Sequence, residues 1–228
     1  MSGPTSDLSR HRDTMTERAY RAIRRRILDG RFDSHRFLRE ERLARALEIS
    51  RTPVREALRR LVSEGWIEQI PHRGARVVEW THEDAEEIFE LRSVLEAHAA
   101  YRAATRMSAN DAERLGELMN TMEQLAYSED DDARADIARL NDEFHRIILT
   151  AAGSPRLQRL VGVIVQAPMT TRSFHRYDAR ELTRSMTQHR DILRAILDGD
   201  GRWAAVTMQA HILAARPVHN RADESPSD

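Results

Sequence analysis

Apolar residues recur along this 228-residue chain mostly at the three- and four-residue spacing of amphipathic helices. Ala19, Ile23, Ile27 and Leu28 predict a first helix, which Asp29-Gly30 would end. Leu43, Ala44 and Leu47 predict a second, short one, and the link Glu48-Ile49-Ser50 leads into a third. In that third helix Val54, Ala57, Leu58, Leu61 and Val62 form one apolar face, with Thr52 expected as N-cap and Pro53 as first helical residue. Gly65 to Ile70, the turn Pro71-His72-Arg73-Gly74, and Ala75 to Val78 then read as strand, turn and strand. Two short helices joined by about three or four residues make a helix-turn-helix, and the hairpin adds a wing.

Beyond Thr81 the pattern is helix after helix, over 83–107, 109–127, 133–152, 156–174, 179–198 and 202–216. Ile88, Leu91, Leu95 and Ala99 mark the expected inward stripe of the first of these. Breaks fall at Ser108-Ala109-Asn110, at the acidic run Glu129-Asp130-Asp131-Asp132, at Gly153-Ser154-Pro155 and at Gly199-Asp200-Gly201. The expected fold is mainly α: a winged helix-turn-helix over 14–80 followed by an antiparallel all-helical bundle over 81–216. The polar ends, 1–13 and 217–228, are expected to be disordered.

Arg51, Arg55 and Arg59 stand four apart, so they line a face of the third helix other than the apolar one. Guanidinium groups on the first turns of a short helix suit phosphate oxygens and guanine edges in a DNA major groove. Taken alone, the segment also reads as a surface helix whose arginines stay wet. Within a winged helix-turn-helix it points to double-stranded DNA, with His72, Arg73 and Arg76 of the wing placed to meet the backbone or the minor groove. Charge agrees. Residues 1–80 hold 18 arginines against 12 acids, a balance of +6, and residues 81–228 hold 18 against 25, a balance of −7. No cysteine is present, which excludes disulfides and thiolate metal sites and fits a reducing compartment. No apolar run approaches the ~20 residues of a membrane span, and the N-terminus carries no apolar signal segment, so a cytoplasmic protein is expected.

The bundle carries three histidines on its expected inward stripes. His145 falls with Ile137, Asn141, Phe144 and Ile148, His189 with Leu182, Met186, Ile192, Leu193 and Ile196, and His211 with Ala204, Thr207, Met208 and Ile212. One inward histidine is usually a core residue with a single hydrogen bond. Three each need a partner once desolvated, and a shared metal ion would satisfy all of them through their neutral nitrogens. Asn141 lies one turn before His145 on the same face and could complete the coordination or hold a water. Arg92 lies close to the inward stripe of its helix, where its charge needs a partner: either the carboxylate of a bound ligand or Glu96 one turn on.

The residues also carry a resemblance. From about Ala19 to Val78 the chain resembles the winged-helix domain of GntR-type bacterial transcription regulators, through Leu43-Ala44, the string Ser50-Arg51-Thr52-Pro53-Val54-Arg55-Glu56-Ala57-Leu58, Leu61, Glu64-Gly65 and Arg73-Gly74. Residues 83–215 are similar to the FCD ligand-binding domain of the FadR-like branch, through Leu91-Arg92-x-x-Leu95-Glu96, Asn141-x-x-Phe144-His145, Ala151-Ala152-Gly153-Ser154-Pro155-x-Leu157 and the helices carrying His189 and His211. The resemblance implies base and phosphate contacts by Arg51 and Arg55, a positioning role for Thr52, and a wing tip at the minor groove. It implies one divalent metal, of the zinc, nickel or manganese class, on Asn141, His145, His189 and His211, and a small carboxylate effector that Arg92 could bind. Three departures stand out: Ser34-His35 where Pro-Gly is usual, Glu41 where arginine is frequent, and a neutral Asn141 where the first ligand is usually aspartate. The function so implied is a homodimeric transcription regulator, expected to be a repressor, on a pseudo-palindromic operator. Two rivals stay open: a metal-dependent hydrolase using the histidines, and a DNA-binding protein with a purely structural metal.

Overall fold

The computed structural model describes residues 5–32, 37–70, 73–78, 81–128, 133–165 and 167–220. His72, the Ser34-His35 pair, the acidic run 129–132 and the tail beyond 220 lie outside the described residues. The chain divides into two compact units, Met1–Glu79 and Trp80–Asp228.

The first unit comprises α1 (Thr5–Leu28), α2 (Glu40–Leu47), α3 (Arg51–Ser63), β1 (Ile67–Ile70) and β2 (Gly74–Val77). The strands pair antiparallel with Ile67 opposite Val77 and Ile70 opposite Gly74, and Leu38 adds a bridge to Ala75 on the free side of β2. Ala19, Tyr20, Ile23 and Ile27 of α1 pack with Leu43, Val54, Ala57, Leu61, Trp66, Ile67 and Val77 to make the core. α1 begins at Thr5, so the disorder expected over 1–13 gives way to helix from that point. Burial of the Ala19–Ile27 stripe supplies the nucleus, and extending a nucleated helix costs little per residue.

α3 starts two residues earlier than Thr52-Pro53 predicts. Its N-cap is Ser50, which makes no side-chain capping bond, and Pro53 sits in the first turn with its ring buried. All the N–H groups of a first turn lack intrahelical acceptors, so proline is as well tolerated there as at the first position. The turn between α2 and α3 is made by Glu48 in the left-handed region, φ 55°. Gly65, φ 79°, closes α3 so that the Trp66 amide donates to Leu61 O at 2.9 Å and the chain enters β1.

Seven helices make up the described part of the second unit, with no strand among them: α4 (His82–Ala103), α5 (Ala109–Ala126), α6 (Ala133–Ala151), α7 (Pro155–Ile164), α8 (Ala167–Arg176), α9 (Ala179–Leu197) and α10 (Gly201–Asn220). Thr81 with Asp84 and Asp178 with Glu181 form capping boxes at the starts of α4 and α9. The single helix expected over 156–174 is two helices, α7 and α8: Val165 turns to extended backbone after Ile164, and Pro168, which has no N–H to donate back to residue 164, sits in the first turn of α8, where that donor is not needed. α10 continues to Asn220, past the expected end at 216; Pro217 removes one ladder bond without forbidding the turn that follows. α4 packs against α6, α7, α9 and α10, and α6 also against α5 and α8. Phe89, Leu115, Met119, Met122, Ile137, Phe144, Ile148, Ile192 and Ile212 form the core.

One expected inward stripe holds only in part: of Ile88, Leu91, Leu95 and Ala99, Ala99 alone is fully buried. Leu91 is exposed and Ile88 and Leu95 are only half-buried, whereas Ala85, Phe89, Arg92, Ser93, Glu96, Ala100 and Ala103 point inward. The apolar residues of α4 are spread around the helix, so their spacing selects no single face, and its buried side includes an ion pair.

Candidate nucleic-acid interface and metal centre

α3 keeps its two faces apart. Val54, Ala57, Leu58 and Leu61 are buried, and Arg51, Thr52, Arg55 and Arg59 are exposed. The helix is thereby anchored by its aliphatic side with its guanidinium groups outward. Two of those groups meet acids on α2. Arg55 Nε and Nη2 donate to the two carboxylate oxygens of Glu40 at 2.9 and 2.8 Å, and Arg51 Nη1 donates to Glu41 at 2.9 Å. The hydrogen bond from Arg55 holds the Glu40 carboxyl below its ordinary range, and the same contact raises the guanidinium of Arg55. Both arginines nevertheless stay open to solvent, at 55% and 47% exposure of the side chain. The Arg51–Glu41 pair is a single solvent-screened contact that a polyanion can displace, whereas Arg55 is held through both oxygens of Glu40. Among the described residues Arg59 has no acidic partner. A cleft of about 790 Å³ runs between the start of α2, the arginine face of α3 and Gly74-Ala75 of the wing.

Of the predicted wing residues, Arg73 is exposed, its amide closing the turn onto Ile70 O at 3.1 Å. Arg76 is exposed and pairs across the strands with Glu68, Nη2 to Oε1 at 2.6 Å. Its charge is therefore partly offset within the hairpin. His72 falls outside the described residues.

The second unit brings the three predicted histidines together: their ligand atoms all lie within 4.8 Å of one another. His145 comes from α6, His189 from α9 and His211 from α10. Each ring is oriented or left waiting in a definite way. His145 Nδ1 donates to Glu96 Oε2 at 2.6 Å, and its Nε2 is buried with no partner among the described residues. His189 Nδ1 donates to Ser185 O at 2.8 Å, and His211 Nδ1 is buried with no partner among the described residues. Burial pushes His189 down to about 3 and His211 well below the ordinary imidazole range, so both rings are neutral at pH 7 and can offer lone pairs.

Asn141 Oδ1 lies 2.8 Å from His189 Nε2. With Nδ1–H committed to Ser185, that Nε2 is an acceptor, and an amide oxygen is another. Two acceptors at this distance are reconciled by a cation or by turning the amide so that its NH2 donates. The orphaned nitrogens of His145 and His211, the facing acceptors, and the Glu96 and Ser185 partners behind the rings together fit a divalent ion bound by imidazole. Asp142 does not join the converging donors, and burial pushes its carboxyl up to about 6. Glu143 points to Arg114, with Oε1 at 2.9 Å from Nη2, so it is not placed to serve the cluster as a general acid or base.

Arg92 meets Glu96. Its Nε donates to Glu96 Oε1 at 2.7 Å, and both side chains are buried. Glu96 thus joins Arg92 to His145. Burial alone would raise its carboxyl, but Arg92 and His145 hold it down to about 2. The two Nη groups of Arg92 make no hydrogen bond to a described residue. Spacing does not reveal the link from Glu96 to His145, because it joins α4 to α6 across the core; a buried acid one turn after Arg92 was the available signal. The contacts of Glu40 and Glu41 with the arginine face are likewise tertiary, although two acids opening the short helix that faces those arginines are visible in the sequence.

Comparison with known proteins agrees with this geometry. Residues 15–77 match the family described as bacterial regulatory proteins, gntR family, and residues 87–214 match the FCD domain. A probable D-xylose utilization operon transcriptional repressor of Paenarthrobacter nicotinovorans is 31% identical over 192 residues, 84% of this chain and 83% of that one. The gluconate operon transcriptional repressor of Bacillus licheniformis is 34% identical over 106 residues, 46% of this chain and 42% of its own. The solved structure of Escherichia coli McbR/YncC superposes with a TM-score of 0.66 at 22% identity, covering 92% of this chain and 99% of that one, a likeness of fold. The family and its named relatives are transcriptional regulators and not enzymes. With a DNA-binding winged helix followed by an FCD domain, this chain belongs to the gntR family of bacterial transcriptional regulators.

Proposed function

We propose that the chain is a homodimeric, cytoplasmic repressor whose hold on a pseudo-palindromic operator is set by a small carboxylate bound beside a divalent metal. Arg51, Thr52, Arg55 and Arg59 would enter the major groove, with His72, Arg73 and Arg76 at the backbone or minor groove. Asn141, His145, His189 and His211 would hold a metal of the zinc, nickel or manganese class. A neutral Asn141 in the set removes one negative charge from the site and weakens affinity relative to a carboxylate donor. A bound ion would supply an anchor for an effector carboxylate, and the two Nη groups of Arg92, without a partner among the described residues, would offer a bidentate contact while Nε stays with Glu96.

The observation that carries the sensing role is the convergence of three imidazoles, His189 and His211 buried and His145 half-buried, two with buried nitrogens that no described residue satisfies. Such atoms are costly to leave unpaired. An effector that binds one placement of the DNA-binding units better than another shifts their populations, and operator affinity follows. Homodimerisation is supported by Leu91, Val94 and Tyr101, which form an exposed stripe along α4. A second copy of the chain is the occupant we assign to it.

The test is a thermal-shift and operator-binding titration of the full chain with carboxylic acids, with zinc present or removed by chelator. The panel includes gluconate, since a relative is named for that operon. A metal-dependent melting increase with one acid, together with altered operator affinity, is the expected result. Metal-dependent melting with no response to any acid would leave a structural site; turnover of an acid would favour the hydrolase.

A further inference from the structure

We propose that Glu40 determines sequence specificity at the DNA interface by fixing Arg55 so that its guanidinium presents one defined edge to a guanine. The proposal rests on Arg55 facing DNA, as argued above.

A guanidinium has two edges that can make paired bonds, a side edge of Nε and Nη2 and an end edge of Nη1 and Nη2. Glu40 occupies the side edge completely, with Nε to Oε1 at 2.9 Å and Nη2 to Oε2 at 2.8 Å. No described residue takes the end edge, and the arginine remains exposed. Two parallel N–H donors in that direction match guanine O6 and N7, which lie side by side in the major groove; adenine sets an N6 donor beside N7 and does not match. Without the carboxylate, a long and mobile arginine would be as well served by a phosphate, which gives affinity without reading a base.

Glu40 is itself fixed. It is the first residue of α2, where a carboxylate is favoured by the helix dipole, and Arg51 Nη2 lies 3.7 Å from its Oε2. Glu41 differs: it makes one bond, to Arg51 Nη1, and its side chain is 61% exposed. That pair is looser, and Arg51 can leave it for a phosphate. A carboxylate beside the groove repels the DNA backbone, so Glu40 lowers affinity for DNA in general while raising the contrast between right and wrong sequences.

The experiment selects duplexes from a random-sequence library with the full-length protein, then replaces each guanine of the winner in turn by 7-deazaguanine, which lacks the N7 acceptor. The wild type is expected to lose on the order of tenfold to a hundredfold in affinity at one defined guanine, the range of a bidentate arginine contact. In Glu40→Ala and Glu40→Gln that penalty falls below about threefold, while binding to random-sequence duplex is unchanged or tighter. Glu40→Gln keeps the side-chain size and one acceptor, so it preserves the fold if the alanine variant does not. Should both variants keep the full penalty and bind every duplex more tightly, Glu40 only repels phosphate and the proposal is overturned. If Arg55→Ala changes neither the penalty nor the overall affinity, the underlying DNA-facing assignment fails instead, a result distinct from the first.

Discussion

Glu96→Gln is the substitution with the most to say about the second unit. The side chains of Arg92 and Glu96 are 7% and 5% exposed, and one carboxylate meets Arg92 Nε at 2.7 Å and His145 Nδ1 at 2.6 Å. Glutamine keeps the volume and an acceptor oxygen but removes the charge, so a guanidinium is left in the core without its counter-ion. Breaking a buried pair by removing one partner costs about 3–5 kcal/mol, and the retained oxygen places this case near the lower figure. A unit of roughly 150 residues loses about 2–4 °C of melting temperature per kcal/mol, so calorimetry of the chelated full chain should show a fall of roughly 6–12 °C. Arg92→Met/Glu96→Met together should recover much of that loss, because matched apolar replacements of a buried pair are often neutral. Glu96 also orients His145, and loss of such a partner typically weakens metal binding about 10–100-fold, measurable by competition with a chromophoric chelator. If Glu96→Gln melts within about 2 °C of wild type and holds zinc as tightly, the Arg92–Glu96–His145 chain carries neither stability nor ligand positioning.

Three further outcomes are expected. Glu48→Gly should stabilise the first unit by about 1 kcal/mol in denaturant unfolding, because a left-handed conformation costs a non-glycine residue about 1–2 kcal/mol and Glu48 is exposed there; a destabilised variant would contradict the turn. Arg51→Ala, Arg55→Ala and Arg59→Ala should each weaken operator binding, and whichever contacts a phosphate should lower the slope of log affinity against log salt by about 0.9. Unchanged affinity in all three would remove α3 from the interface. Val94→Arg, at a site 63% exposed on the apolar stripe of α4, should raise the dimer dissociation constant at least tenfold in sedimentation, with operator affinity falling in step; a dimer unaffected by the charge would place the contact elsewhere.

The helical architecture was legible because periodicity reports burial directly wherever a helix has one apolar side. α3 and α9 are such helices: Val54, Leu58 and Leu61, or Leu182, Met186 and Ile196, select one face, and that face is buried. The histidines were legible for the same reason, since His145, His189 and His211 share stripes with residues that must go inside. Where a helix is apolar on several sides the signal vanishes. α4 carries Leu91 and Val94 outward and Phe89, Arg92 and Glu96 inward, and no count of apolar spacings distinguishes those faces. The break at Pro168 was equally present in the sequence, as a residue that cannot continue a ladder, but the apolar spacing across 156–174 outweighed it.

Charges are the harder part, because their meaning depends on which acid and which base meet. Arginine 51 and arginine 55 read as unpaired cations while only their own helix is considered. α2 changes their character by setting Glu40 and Glu41 against them: Arg55 is held by two bonds to Glu40, and Arg51 more loosely by one to Glu41. The same logic operates on Glu96, which turns Arg92 from a lone buried charge into one end of a chain that reaches the His145 imidazole. In both units an acid uses part of an arginine's donor set and leaves the rest without a partner among the described residues: the end edge of Arg55 and the Nη groups of Arg92. An arginine so held gives up the freedom to follow any anion, and what remains is a preference for the one whose acceptors fit the edge still open.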